Sequence, residues 1–129
     1  MSAINISCIP IDGIIKVFLG SKYNGYIGLV DITMPRLDTK RSIVNVSCDQ
    51  VDSTCFNRKR LLKVIYNDGA DGYQYHQFTN IMYYKLDSSD YNLTIRLFDD
   101  RGPIKLRSTE PVLMTLHLQP DTPQRWINM

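Results

Sequence analysis

The sequence predicts an all-β fold, an antiparallel β-sandwich of about eight strands. Three observations carry that expectation. Apolar and polar residues alternate at period two through several segments, β-branched and aromatic residues concentrate in those segments, and turn-forming residues separate them. The chain has 129 residues, enough for one domain that buries a real core without disulfide or metal support. Residues 1–129 are therefore read as a single β-sandwich domain, with 1–10 open to reading as an arm and 119–129 as a tail.

The elements follow in order. Ile4 to Ile9 reads either as an edge strand or as part of an arm. Gly13 to Leu19 is rich in Ile, Val and Phe, and Gly25 to Met34 carries Tyr26, Ile27, Leu29, Val30 and Ile32. Ser42 to Cys48 puts Val44, Val46 and Cys48 on one face, with Asn45 and Ser47 opposite. Leu61 to Tyr66 is apolar around Lys63. Gly72 to Phe78 and Ile81 to Leu86 are rich in aromatic rings. Tyr91 to Phe98 sets Leu93, Ile95 and Leu97 against Asn92, Thr94 and Arg96. Pro111 to Leu118 sets Val112, Met114, Leu116 and Leu118 against Thr115 and His117. Leu113 joins that second face, which is expected to be partly covered.

Pro10, Asp12-Gly13, Asn24-Gly25, Pro35, Asn67-Asp68-Gly69, Asp71-Gly72, the run Asp87 to Asp90, and Arg101-Gly102-Pro103 supply the turns. No helix longer than two turns fits; Phe56 to Val64 has room for one turn before its strand. The spacing suits a sandwich, for which a single jelly roll competes with immunoglobulin-like and lectin-like arrangements. Periodicity leaves the strand order open.

Composition narrows the function. Fifteen basic and thirteen acidic residues leave a net charge of +2, which gives no global argument for nucleic-acid or membrane binding. No apolar run approaches the roughly 18 residues of a spanning helix, so no membrane insertion is expected. Met1 to Ser7 lacks the basic start of a signal peptide. Three cysteines (Cys8, Cys48 and Cys55) and two histidines (His76 and His117) do not make a metal-ligand pattern, and reduced thiols are expected. No nucleophile elbow and no phosphate-binding glycine loop occur. Asp99 and Asp100 are expected to hydrogen-bond backbone amides at a turn. His117 is expected at a surface or interface, without a visible partner for base chemistry. The reading is a protein with no catalytic residue, no cofactor and no metal.

Two groups stand out as contact surfaces. Tyr73, Tyr75, Phe78, Tyr83 and Tyr84, joined by Trp126 in the tail, are candidates for a subunit interface, because amphipathic rings suit partial burial. Arg58, Lys59 and Arg60, with Lys63, form the densest basic cluster; Arg58, Lys59 and Arg60 are candidates for phosphate contact, against the alternatives of a solvated loop or a nuclear-targeting signal.

The order of pieces from Ser42 onward resembles a known family. Ile43 to Cys48, Leu61 to Tyr66, the aromatic segment Phe78 to Leu86, Leu93 to Phe98, the turn Asp99 to Gly102, Ile104 to Leu106, and Val112 to Leu118 with its Leu-His-Leu ending are similar to the C-terminal part of the minor capsid, or penton, proteins of Polinton/Maverick elements and adintovirus-like DNA viruses. "GYIGLVDITMP", residues 25 to 35, looks like an early strand of such proteins. The connection from Pro35 to Ser42 is shorter than the insertion the family often carries there. The resemblance implies a single jelly roll without enzymatic activity. It implies a homo-oligomer, a pentamer if penton-like, meeting other capsid proteins at a virion vertex after assembly in the cytoplasm or nucleus of a host cell. A ligand-binding sandwich, lectin-like or a receptor-binding head, is the alternative. Nucleic-acid contact stays open.

Overall fold

In the computed structural model the described residues are 2–20, 23–35, 37, 43–53, 59–67, 72–86, 91–106 and 110–120. They form ten strands: β1 (Ser2–Cys8), β2 (Ile14–Phe18), β3 (Gly25–Met34), β4 (Ile43–Cys48), β5 (Leu61–Tyr66), β6 (Gln74–Gln77), β7 (Tyr84–Lys85), β8 (Asn92–Asp99), β9 (Gly102–Pro103) and β10 (Val112–Pro120). Two five-stranded sheets result. The first has the order β1-β10-β3-β6, with β7 also on β3. The second has the order β2-β8-β4-β5, with β9 also on β8. Every pairing is antiparallel.

The expected count of about eight becomes ten because β7 and β9 are two-residue strands. Ser2 to Cys8 is an edge strand of the first sheet. Of the tail read as 119–129, Gln119 and Pro120 instead extend β10, paired with Tyr26 and Gly25, while residues 121–129, including Trp126, lie outside the described residues, as do Phe56 to Arg58 of the proposed helical turn.

The core lies between the sheets. Ile27, Leu29, Ile32 and Met34 of β3 and Val112, Met114, Leu116 and Leu118 of β10 face Val44 and Val46 of β4, Leu93, Ile95 and Leu97 of β8, and Ile15 and Val17 of β2. Truncating one such Leu or Ile to Ala costs about 2–5 kcal/mol, which is why these rows fix which way each strand faces.

Two bulges adjust the period. Thr115 pairs with Asp31 but Leu116 pairs with Leu29, so Val30 is the extra residue on β3. Leu29 and Ile32, three apart, thus both point inward. Val46 pairs with Lys63 but Ser47 pairs with Leu61, so Leu62 is extra on β5. Leu62 and Ile65 are both buried for the same reason.

Connections tie the sheets together. Leu37 bridges Leu106, and Val51 bridges Leu86. Gly13, at φ +73°, accepts from the Leu97 amide at 2.8 Å. A Cβ on Gly13 would sit 2.5 Å from the Leu97 carbonyl oxygen, so only glycine fits where this turn meets β8. Asp99 Oδ1 accepts from the Arg101 amide at 2.8 Å, the turn role expected of it.

Candidate functional site

The outer face of the first sheet carries Tyr75 and the segment that contains Tyr83. β6 and β7 lie along the same side of β3, on Asp31–Met34 and Tyr26–Ile27 respectively. The Phe78 amide still donates to the Val30 carbonyl at 3.0 Å. The chain then leaves the sheet, and Ile81, Met82 and Tyr83 cross over Gly28. A Cβ at Gly28 would meet Ile81 Cγ2 at 2.6 Å, and the Met82 oxygen and Tyr83 Cδ1 at 3.1 Å each. Only a residue without a side chain leaves room for this strap. Tyr83 Oη is hydrogen-bonded to His117 Nδ1 at 3.2 Å, which fastens the strap to β10.

The aromatic candidates therefore divide. Phe78 and Tyr84 pack against the core, and the Lys63 ammonium lies 4.8 Å from the centre of the Phe78 ring. Tyr83 is half-buried in the strap. Tyr73 and Tyr75 are exposed, Tyr75 at 57%. Tyr75 stands beside Thr33, and Thr33 beside Leu113, so these three form one row across the outer face. Leu113, expected to be partly covered, is 42% exposed. Tyr73 hydrogen-bonds Glu110, and that contact with a carboxylate holds its phenol above the usual tyrosine range.

Beneath this face the polar group of β6 is fully used. Gln74 is buried; its Nε2 donates to Asn67 Oδ1 at 2.8 Å, and its Oε1 accepts from His76 Nε2 at 3.0 Å. A buried amide with both ends bonded costs little and orients its strand.

The outer face of the second sheet holds a cleft of about 480 Å³. Ile14, Phe98 and Pro103 supply apolar lining; Lys59, Arg60, Arg96 and Asp49 supply charge. Arg96 grips Asp49 in a fork, with Nε donating to Oδ1 at 2.8 Å and Nη2 donating to Oδ2 at 2.9 Å. That carboxylate holds the Arg96 guanidinium even further above its ordinary pKa. Arg60 sits at φ +55°, and its Nε donates to the Val51 carbonyl at 2.9 Å. Part of the basic cluster is thus structural. Lys59 and Arg60 line the cleft, while Arg58 lies outside the described residues.

Small polar residues on this face are buried, which their pattern did not foretell. Asn45 lies between Phe98 and Val64, and Ser47 between Arg96 and Leu61. Lys16 Nζ donates to Thr94 Oγ1 at 3.3 Å. Long neighbours on adjacent strands cover the short ones. The contact that sequence reasoning missed was Tyr83–His117. Its two residues are 34 apart, and only the strap brings them together.

Cys8 and Cys48 are free thiols. Burial pushes the Cys48 thiol up to about 11. Cys55 lies outside the described residues. Among the described residues no group of three or more His, Cys, Asp or Glu is placed to hold a metal ion. No described helix is long and apolar enough to cross a membrane. No protein-family model matches the chain, and no curated protein is significantly similar to it.

Proposed function

We propose that the sandwich is a single jelly roll and that the chain is a structural subunit, a penton-like minor capsid protein assembling as a ring at a virion vertex. The observation that carries the reading is the strand order. Setting aside the two-residue strands β7 and β9, eight strands remain, and they pair first with last, second with seventh, third with sixth and fourth with fifth. A long antiparallel hairpin wound into a sandwich gives this order, which supports the jelly-roll reading; viral capsid and lectin domains both use that architecture. Fold alone does not assign function, so the reading also leans on surface. The row of exposed Tyr75 and Leu113 with half-buried Thr33 between them, next to Tyr73, offers amphipathic area to a neighbouring subunit. A ring needs two different patches per subunit, and Phe18 and Ile11, both largely exposed on the β2 side, offer a second.

Light scattering coupled to size exclusion, with negative-stain microscopy of the same fractions, tests this. A closed ring of copies is the expected result. A monomer at high micromolar concentration, insensitive to salt, overturns it.

The cleft on the second sheet favours a second reading, a ligand-binding sandwich of lectin or receptor-head type. A glycan array probed with the full chain separates the two. Reproducible binding lost on replacing Lys59 and Phe98 supports this alternative.

A further inference from the structure

The sandwich has four strand edges among the described residues, and three are protected. β2 carries Lys16 within five residues, and β5 carries Lys63 beside its bulge. β6 and β7 share an edge that the strap interrupts, and β7 carries Lys85. Charges, bulges and interruptions are the devices that stop sheet edges from pairing with other chains.

β1 has none of them. Its seven residues read SAINISC, without charge, proline or glycine. It pairs with β10 in unbroken register from Ser2↔Leu118 to Cys8↔Val112. No described strand pairs with its other side. Ile4 and Ile6 pack against the core but remain half-exposed, while Ala3, Asn5 and Ser7 point outward and are exposed.

We propose that β1 pairs antiparallel with β1 of a second copy of this chain, about a two-fold axis at Asn5. The sequence around that axis is nearly a palindrome: Ile on both sides of Asn5, then the small residues Ala3 and Ser7. A two-fold contact sets one patch against itself, so each residue must suit its mirror position. Here Ile4 meets the second copy's Ile6, and Ile6 its Ile4, in β-branched cross-strand pairs on the inner face. Ala3 meets Ser7 without crowding, and Asn5 meets Asn5. No like charges oppose each other. The first sheets of the two copies join into one, and the half-exposed isoleucines gain cover. A slip of one residue would turn one copy's Ile4 and Ile6 to the wet side of the joined sheet, so the register is specified. The contact uses the β1 edge only and leaves Tyr73, Tyr75 and Leu113 available for a ring.

Charge reversal at the axis tests the register. In N5K or N5E alone, like charges oppose each other across the two-fold, whereas in an equimolar mixture opposite charges meet. Asn5 is exposed and its side chain gives up one surface hydrogen bond, from Thr115 Oγ1 at 3.1 Å, so both variants are expected to fold; circular dichroism checks this. Sedimentation velocity of the wild type should give a mass of two copies or an even multiple. Each variant should lose that pairing with a halved mass, and the mixture should regain it, less so at high salt. A wild type that stays monomeric, an N5K protein that keeps the wild-type mass, or a mixture of folded variants that does not re-pair overturns the proposal. A ring mass that survives N5K unchanged removes the β1 contact and leaves the ring reading standing.

Discussion

Tyr83 Oη and His117 Nδ1 lie 3.2 Å apart, and this contact fastens the strap of residues 81–83 to the outer face of β10. It joins the tyrosine-rich segment to the strand at the centre of the first sheet, so the shape of the candidate interface depends on it. Removing the hydroxyl in Y83F should cost about 0.5–1.5 kcal/mol, the net value of a half-buried hydrogen bond. Urea unfolding reads the stability. Amide exchange at Met82 and Tyr83 should quicken, and unchanged exchange there would mean that packing, not this bond, holds the strap.

Gly28 is the second element of the same device. G28A drives a methyl group into Ile81 and the Met82 carbonyl oxygen, and it should destabilise by about 1–3 kcal/mol, the usual cost of overpacking. Gly72 is the control, since a Cβ there meets nothing within 4 Å and its φ is not in the left-handed range. G72A should stay within about 0.5 kcal/mol of the wild type. Thermal melts of the two variants side by side check the contrast.

The Cys48 thiol titrates at about 11 in the folded protein because its surroundings disfavour the thiolate. The unfolded chain releases that proton near 9.0, the ordinary value of an exposed thiol. The folded state therefore holds the proton more tightly. Its contribution is complete below pH 9 and is lost as the pH rises through about 11. At about 1.4 kcal/mol per pKa unit, the loss is on the order of 2–3 kcal/mol. C48V removes the titration while keeping an apolar side chain, so its stability should fall less steeply over that window. Parallel urea titrations at stepped pH would show equal slopes if the shift is absent. The same burial should leave Cys48 unreactive to a thiol reagent until the protein unfolds.

The Arg96–Asp49 fork has near-ideal geometry, yet both side chains are more than a third exposed. Its coupling should be modest, about 0.2–1 kcal/mol in a double-mutant cycle with R96A and D49A. Raising the salt should reduce it. A coupling well above that range, or one indifferent to salt, would mean that the cleft around the pair is drier than its exposure indicates.

Much of the sandwich was legible as pattern. β3 and β5 run over the residues that alternation, β-branched content and turn residues marked out, Gly25–Met34 and Leu61–Tyr66. The pattern predicts one strand from Ile81 to Leu86, and only Tyr84–Lys85 form a strand, with Leu86 in a single bridge to Val51. Ile81 to Tyr83 leave the edge because Gly28 opens space above β3, a vacancy visible only when the sheet is assembled. The basic cluster gave a similar partial result. Its charge was plain, but the tie of Arg60 to Val51, and the neighbouring tie of Arg96 to Asp49, join residues apart in sequence that only the fold brings together.

The sequence by itself determined which side chains face inward along most strands, because period-two alternation is a local property of an extended backbone. It also marked the turns at Asp12-Gly13 and Arg101, since such turn residues act over a few positions. Tertiary structure decided which strands are neighbours, where Val30 and Leu62 bulge, and how Asn45, Ser47 and Thr94 come to be buried on a face that reads as wet. Those outcomes depend on what lies on the adjacent strand, and adjacency comes from packing two greasy sheets together rather than from any one stretch of the chain.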